Sequence, residues 1–180
     1  MRKLSLLAVL ALLLSLTGTI GARADSGHRD YQYLAGVQPL CDIEPSACPD
    51  IARASNGDTV ELTGSGALSI HPASVTGSGD FTHKNANGDV LATGTWSALK
   101  LESFTSYGTS PDLPPNLEGG HVVILVQLFV GGAPVHTAIL QVDCAIGKPP
   151  PGHTEGIRLA VQGALNFNKK VSGLTVFIRQ

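Results

Sequence analysis

The chain has 180 residues, of which 12 are Lys or Arg and 14 are Asp or Glu, and its formal net charge is −2 with the six histidines neutral. That balance excludes the cationic surface with which a nucleic-acid-binding domain neutralises a phosphate backbone. The length suits one domain with a single sizeable core.

The first element in chain order reads as an export signal. Arg2 and Lys3 give a basic start, residues 4–16 run without a charge and are rich in leucine, and Ala22-Arg23-Ala24 supplies the small-x-small pattern read by signal peptidase. The apolar run is 13 residues long, short of the roughly 20 that a membrane-crossing helix needs. Residues 1–24 are therefore expected to be a signal peptide cut after Ala24. Removing Arg2, Lys3 and Arg23 leaves nine basic residues against the same fourteen acidic ones, so residues 25–180 carry about −5. No later apolar run reaches spanning length, which predicts a secreted or periplasmic protein without membrane contact after cleavage.

Residues 25–55 are polar, proline-containing and weakly patterned, with one helical turn suggested over residues 48–54. From residue 56 to 180 short β-favourable runs alternate with Gly, Pro and Asn punctuation, and no sustained 3.6-residue period appears. The predicted fold is all-β, a predominantly antiparallel sandwich or barrel of about eight strands behind a loosely structured N-terminal segment. Thr63-Gly64-Ser65-Gly66 recurs as Thr76-Gly77-Ser78-Gly79. Neither copy is followed by the Lys-Ser/Thr of a phosphate loop, so the glycines are read as places where strands bend or approach closely. Residues 79–84 and 90–96 form a predicted hairpin about Asn87-Gly88, a pair that takes positive φ at little steric cost. A second joins residues 122–130, apolar on both faces, to residues 135–143 through Gly131-Gly132. Residues 156–162 and 173–179 complete the strands, each with alternating apolar residues.

All three cysteines, Cys41, Cys48 and Cys144, follow the signal, and an oxidising compartment favours a disulfide. Ala138, Leu140, Val142 and Cys144 share one face, which turns Cys144 toward the core, and Cys48 stands just before the first convincing strand. Cys48–Cys144 is the expected pair. Cys41–Cys48, closing a small loop, is the next.

Chemistry-bearing residues are scattered. There is no C-x-x-C pair or H-x-x-x-H, and no spacing among the histidines forces a common site; no metal and no cofactor are expected. His121 and His136 fall far apart on the second hairpin. Ser97-Ala98-Leu99-Lys100 matches the serine–lysine string of penicillin-recognising enzymes, but in a strand its two functional side chains point to opposite faces, and the companion motifs are absent. Asp143, beside Cys144, reads as a solvated acid at a strand end, and no second carboxylate pairs with it to suggest glycoside hydrolysis. Trp96, flanked by small Gly94, reads as a core anchor rather than a sugar platform.

Residues 103–119 read as a long uneven loop holding Phe104, Tyr107 and Leu113, the expected ligand-binding residues, because β scaffolds usually bind through their loops. The functional expectation is a non-enzymatic exported binding or surface-associated protein with an unspecified ligand or surface partner. The alternative is a small-molecule carrier or small barrel-type enzyme with an internal pocket. A loop-based binder should have a filled core and an exposed aromatic patch near Tyr107, whereas a carrier should enclose an apolar cavity with a few convergent polar groups.

Overall fold

The computed structural model describes residues 29–180, so the signal-peptide segment lies outside the described residues. The fold is all-β and antiparallel. Ten strands follow one another: β1 (Asp30–Ala35), β2 (Asp50–Ala54), β3 (Thr59–Ser69), β4 (Ser74–Lys84), β5 (Val90–Gly108), β6 (Leu117–Val130), β7 (Ala133–Cys144), β8 (Gly156–Val161), β9 (Asn166–Ser172) and β10 (Thr175–Arg179). A four-residue helix, α1 (Leu40–Ile43), and a 3-10 turn (Pro45–Ala47) separate β1 from β2.

The ladder closes on itself. From β2 the pairing runs through β3, β4, β5, β6, β7, β8 and β9 and back to β2, an eight-membered ring with no free edge. Closure of this kind removes the exposed strand edges that invite aggregation. Strands β3 and β6 run beyond the ring. At that end β1 pairs with β3 over Asp30–Ala35, and β10 bridges β1 to Leu117 and Glu118 of β6. The protein is therefore a barrel whose second end is completed by the first and last strands of the described chain.

The predicted hairpins form where the turn chemistry puts them. Asn85 Oδ1 accepts from the backbone N–H groups of Asn87 and Asp89, and Gly88 takes φ +91°. Gly131 and Gly132, at φ +58° and +80°, make the two-residue β6–β7 turn, the arrangement that matches strand twist. Val122, Ile124, Val126 and Leu128 of β6 point inward with Ala138, Leu140 and Val142 of β7, and all are buried. The repeated Thr-Gly-Ser-Gly strings lie opposite one another in β3 and β4, Gly64 against Gly79 and Gly66 against Gly77. The space left by the missing side chains is used by two rings. A Cβ at Gly64 would overlap the Trp96 indole, and one at Gly66 or Gly77 would meet the Tyr33 hydroxyl. Trp96 is fully buried and donates its indole N–H to Thr63 O at 3.0 Å.

Four details differ from the sequence expectations. Residues 50–54 form a strand rather than a helical turn, because β3 and β9 supply ladder partners on both sides of β2. Residues from Asp30 onward join the sheet, with Tyr31, Tyr33 and Ala35 facing the core. Residues 103–108 belong to β5, which bends through three register shifts instead of ending, so the connection to β6 is only residues 109–116. The disulfide is Cys41–Cys48, not Cys48–Cys144: α1 and the 3-10 turn fold back on themselves and bring the two Cα atoms to 5.3 Å. Cys144 does point inward, but it remains a free, buried thiol. Burial pushes it up to about 12, so it stays protonated.

Candidate functional site

The two ends of the barrel present different chemistry. At the end bearing the Asn87-Gly88 and Gly131-Gly132 turns, the interior opens as an apolar cavity of about 320 Å³. Its floor is Val60, Phe81, Leu128, Leu159 and Phe167, all buried, from five different strands. Its rim carries Val130 and Val135, which are 38% and 44% exposed. Those valines are exposed because none of the described residues packs over the mouth. The polar groups of the lining are His83 and His136. The His83 Nε2 lies 3.1 Å from Asp58 Oδ2, and the ring meets Phe167 edge-on, so its position is fixed. Mostly apolar lining with a few placed polar groups is what small-molecule pockets share, and this volume lies at the small end of their range.

At the opposite end, polar side chains from five places converge. His121 near the start of β6 stands across the ladder from Asp143 near the end of β7, on the faces opposite the core residues Val122 and Val142. The connection between β7 and β8 brings His153 over both. Asp143 is only 1% exposed, and its Oδ1 lies 2.9 Å from His121 Nδ1 and 3.0 Å from His153 Nδ1. The Tyr107 hydroxyl donates to the same oxygen at 3.0 Å and lies 2.7 Å from His153 Nδ1. Lys170 of β9 donates to the other oxygen, Oδ2, at 2.6 Å. Burial alone would raise the Asp143 carboxyl, but His121, His153 and Lys170 together hold it well below the usual carboxylate range. Burial, followed by the Asp143 charge at its hydroxyl, raises Tyr107 above its ordinary value.

Loop 145–155 is held at several points. Ala145 N–H donates to Glu155 Oε2 at 2.7 Å, Lys148 N–H donates to Tyr107 O at 2.9 Å, and Lys170 also bonds Thr154 O. Three consecutive prolines, Pro149 to Pro151, restrict it further. The cluster is thus held in place by the chain's own contacts. Behind it lies Asp50, wholly buried, with neither carboxylate oxygen hydrogen-bonded among the described residues.

The three residues expected to bind ligand do not form one site. Phe104 is packed between the rings of Tyr31 and Phe177 at centroid distances of 4.7 and 5.1 Å. Tyr107 is buried in the Asp143 cluster, and Leu113 is exposed in the 109–116 connection. Asp143, expected to be solvated, is instead the buried centre of the cluster. A signal for part of it was present: the hairpin register about Gly131-Gly132 sets His121 against residues 142–143. His153 carries none, because only the folding of the proline loop delivers it. The geometry defines a closed β-barrel with an apolar mouth and a buried polar cluster at its far end. Beyond that class, the chain matches no protein family, no curated protein and no solved structure.

Proposed function

We propose that this protein is an exported, non-enzymatic carrier that holds a small apolar ligand in the mouth of its barrel. The observation that carries this reading is the unfilled apolar cavity at one end of an otherwise packed interior. Keeping the apolar rim and walls, Val130, Val135, Val161 and Leu165, in contact with water costs free energy, on the order of 25 cal/mol per Å² of apolar surface. A ligand that covers these side chains recovers that cost. Burial of Tyr107 favours the cavity over an aromatic patch on the loop as the binding element. Export is supported by the tripartite pattern of residues 1–24 together with the Cys41–Cys48 disulfide, which suits an oxidising compartment. Among the described residues no helix is long and apolar enough to cross a membrane.

The test is titration with N-phenyl-1-naphthylamine, a neutral apolar fluorophore that brightens on leaving water. Wild type should bind one equivalent. Val161→Trp, which fills the cavity from a half-exposed wall position, should weaken binding at least about tenfold, equivalent to roughly 1.4 kcal/mol. Absence of saturable binding in wild type, or unchanged affinity in a folded Val161→Trp protein, would rule the carrier reading out.

A further inference from the structure

We infer that His121, Asp143 and His153 form a binding site for a single divalent first-row transition-metal ion of the zinc class. One donor atom from each residue lies within 4.8 Å of the other two. The donors come from β6, from β7 and from the clamped 145–155 loop, so folding, not proximity in sequence, assembles them.

The donor set fits this ion chemically. Two imidazole nitrogens and one carboxylate oxygen are borderline donors of the kind that zinc takes, and three protein ligands leave one position for water or another small ligand. Metal–donor bonds of about 2.0–2.1 Å in a tetrahedral arrangement put neighbouring donors about 3.3 Å apart. The two observed separations from Asp143 Oδ1 are 2.9 and 3.0 Å, so each ring needs to retreat by only a few tenths of an ångström. Both rings have room to do so, with side-chain exposures of 16% for His121 and 33% for His153. Asp143 is instead fixed at 1%.

The surroundings supply what a metal ligand set needs behind it. Lys170 holds Oδ2 and so turns Oδ1 toward the two histidine rings, which orients the carboxylate in the way outer partners orient metal ligands. The Tyr107 hydroxyl, within hydrogen-bond reach of both Asp143 Oδ1 and His153 Nδ1, helps hold these two donors in place. Three polar atoms crowd one carboxylate oxygen that has two lone pairs. A hydrogen-bonded clamp would need only two of them, whereas an ion placed among them engages both rings and the oxygen at once. The Lys170 charge opposes the approach of a cation, so occupancy is reversible rather than permanent.

The experiment is calorimetric titration of untagged, chelator-stripped full-length chain with zinc, and with cobalt(II) as a coloured substitute. One zinc per chain should bind, and cobalt should give visible d–d bands that zinc abolishes. Loss of an outer partner typically weakens a metal site 10–100-fold, so His153→Ala, which removes a ligand, should weaken it by about 100-fold or more. Ring-nitrogen NMR of the wild type requires no variant and should show the Nδ1 signals of two histidines moving on zinc addition. Absence of binding, unmoved ring signals, or equal affinity in His153→Ala would overturn the site; the last result would place zinc on other histidines such as His71 or His136. Neither readout depends on the barrel mouth, so failure here leaves the carrier reading standing.

Discussion

Asp50 offers the sharpest test of how this interior is held together. Its carboxyl is wholly buried, neither oxygen has a hydrogen-bond partner among the described residues, and the backbone of Gly173, at φ +117°, lies so close that a Cβ there would overlap Oδ1. Burial first, and then the nearby Glu155 charge, pushes Asp50 up to about 9 against the opposing pull of Lys170. A group raised in the folded state binds its proton more tightly there than in the unfolded chain. Stability from this group is therefore complete below the unfolded value of 3.8 and is lost as pH rises toward 9. At pH 7 the linkage amounts to about 4 kcal/mol, taking about 1.36 kcal/mol per pH unit over the interval from 3.8. Asp50→Asn keeps the shape and removes the ionisation. Its buried amide costs about 1–3 kcal/mol, so the variant should be more stable than wild type by about 1–3 kcal/mol at pH 7. The advantage should grow with pH. Urea unfolding of both proteins at several values between pH 4.5 and 8.5 measures this directly. Parallel stability curves across that range would mean that Asp50 titrates normally, and the reasoning from its burial would be wrong.

Replacing Cys41 and Cys48 together by Ser should cost about 2.5 kcal/mol, the loop-closure value for so short a ring, read from the shift in urea midpoint. Intact-mass analysis of alkylated protein should find one reactive thiol, Cys144, only after unfolding; rapid labelling of the native protein would contradict its burial. Gly64→Ala should destabilise by about 1–3 kcal/mol, because the Trp96 ring occupies the space the methyl needs and is itself packed on every side. A neutral result by thermal melting would show that the β3–β4 glycine pairs are not there to make room for that ring.

The parts of the fold that were legible in the sequence are those whose signal is local. Asn87-Gly88 and Gly131-Gly132 each set a turn and, with it, the strands on both sides. The parity of Trp96 and Cys144 likewise told which way each would face. The strands that escaped notice are those whose burial is supplied from a distance. In β9 Phe167 is the one buried apolar residue, beside exposed Asn166, Asn168, Lys169 and Val171 and a Lys170 whose side chain is covered through its pairing with the distant Asp143, so no apolar alternation appears in the sequence. In β2, Asp50-Ile51-Ala52-Arg53-Ala54 has helical propensity, and it is a strand because β3 and β9 offer unpaired ladder groups on either side. The same reason hid the polar cluster. Sequence spacing relates His121 to Asp143 through a turn, but nothing local relates either of them to His153, Tyr107 or Lys170.

The difference between the two ends of the barrel follows from the lengths of its connections. At the mouth, the turns β2–β3, β4–β5, β6–β7 and β8–β9 contain two to five residues each. Turns that short reverse the chain within the ladder, and none of the described residues lies across the opening, so the valines at its rim are exposed. At the other end the chain spends residues 109–116 and 145–155 on its crossings. The first of these stays exposed, while the second is long enough to fold back over the strand ends and carries His153 onto Asp143. Between the two ends, Trp96 and, toward the second end, Tyr33 occupy the space the paired glycines vacate. On the carrier reading, a ligand in the mouth would rest on the floor of Val60, Phe81, Leu128, Leu159 and Phe167, away from the polar cluster at the other end. Coupling between two sites requires an element with two arrangements that both ligands bias. Trp96 and Tyr33, fully buried against the β3–β4 glycines, offer no such element, so the two proposed sites, the apolar cavity and the His121–Asp143–His153 cluster, are expected to bind independently.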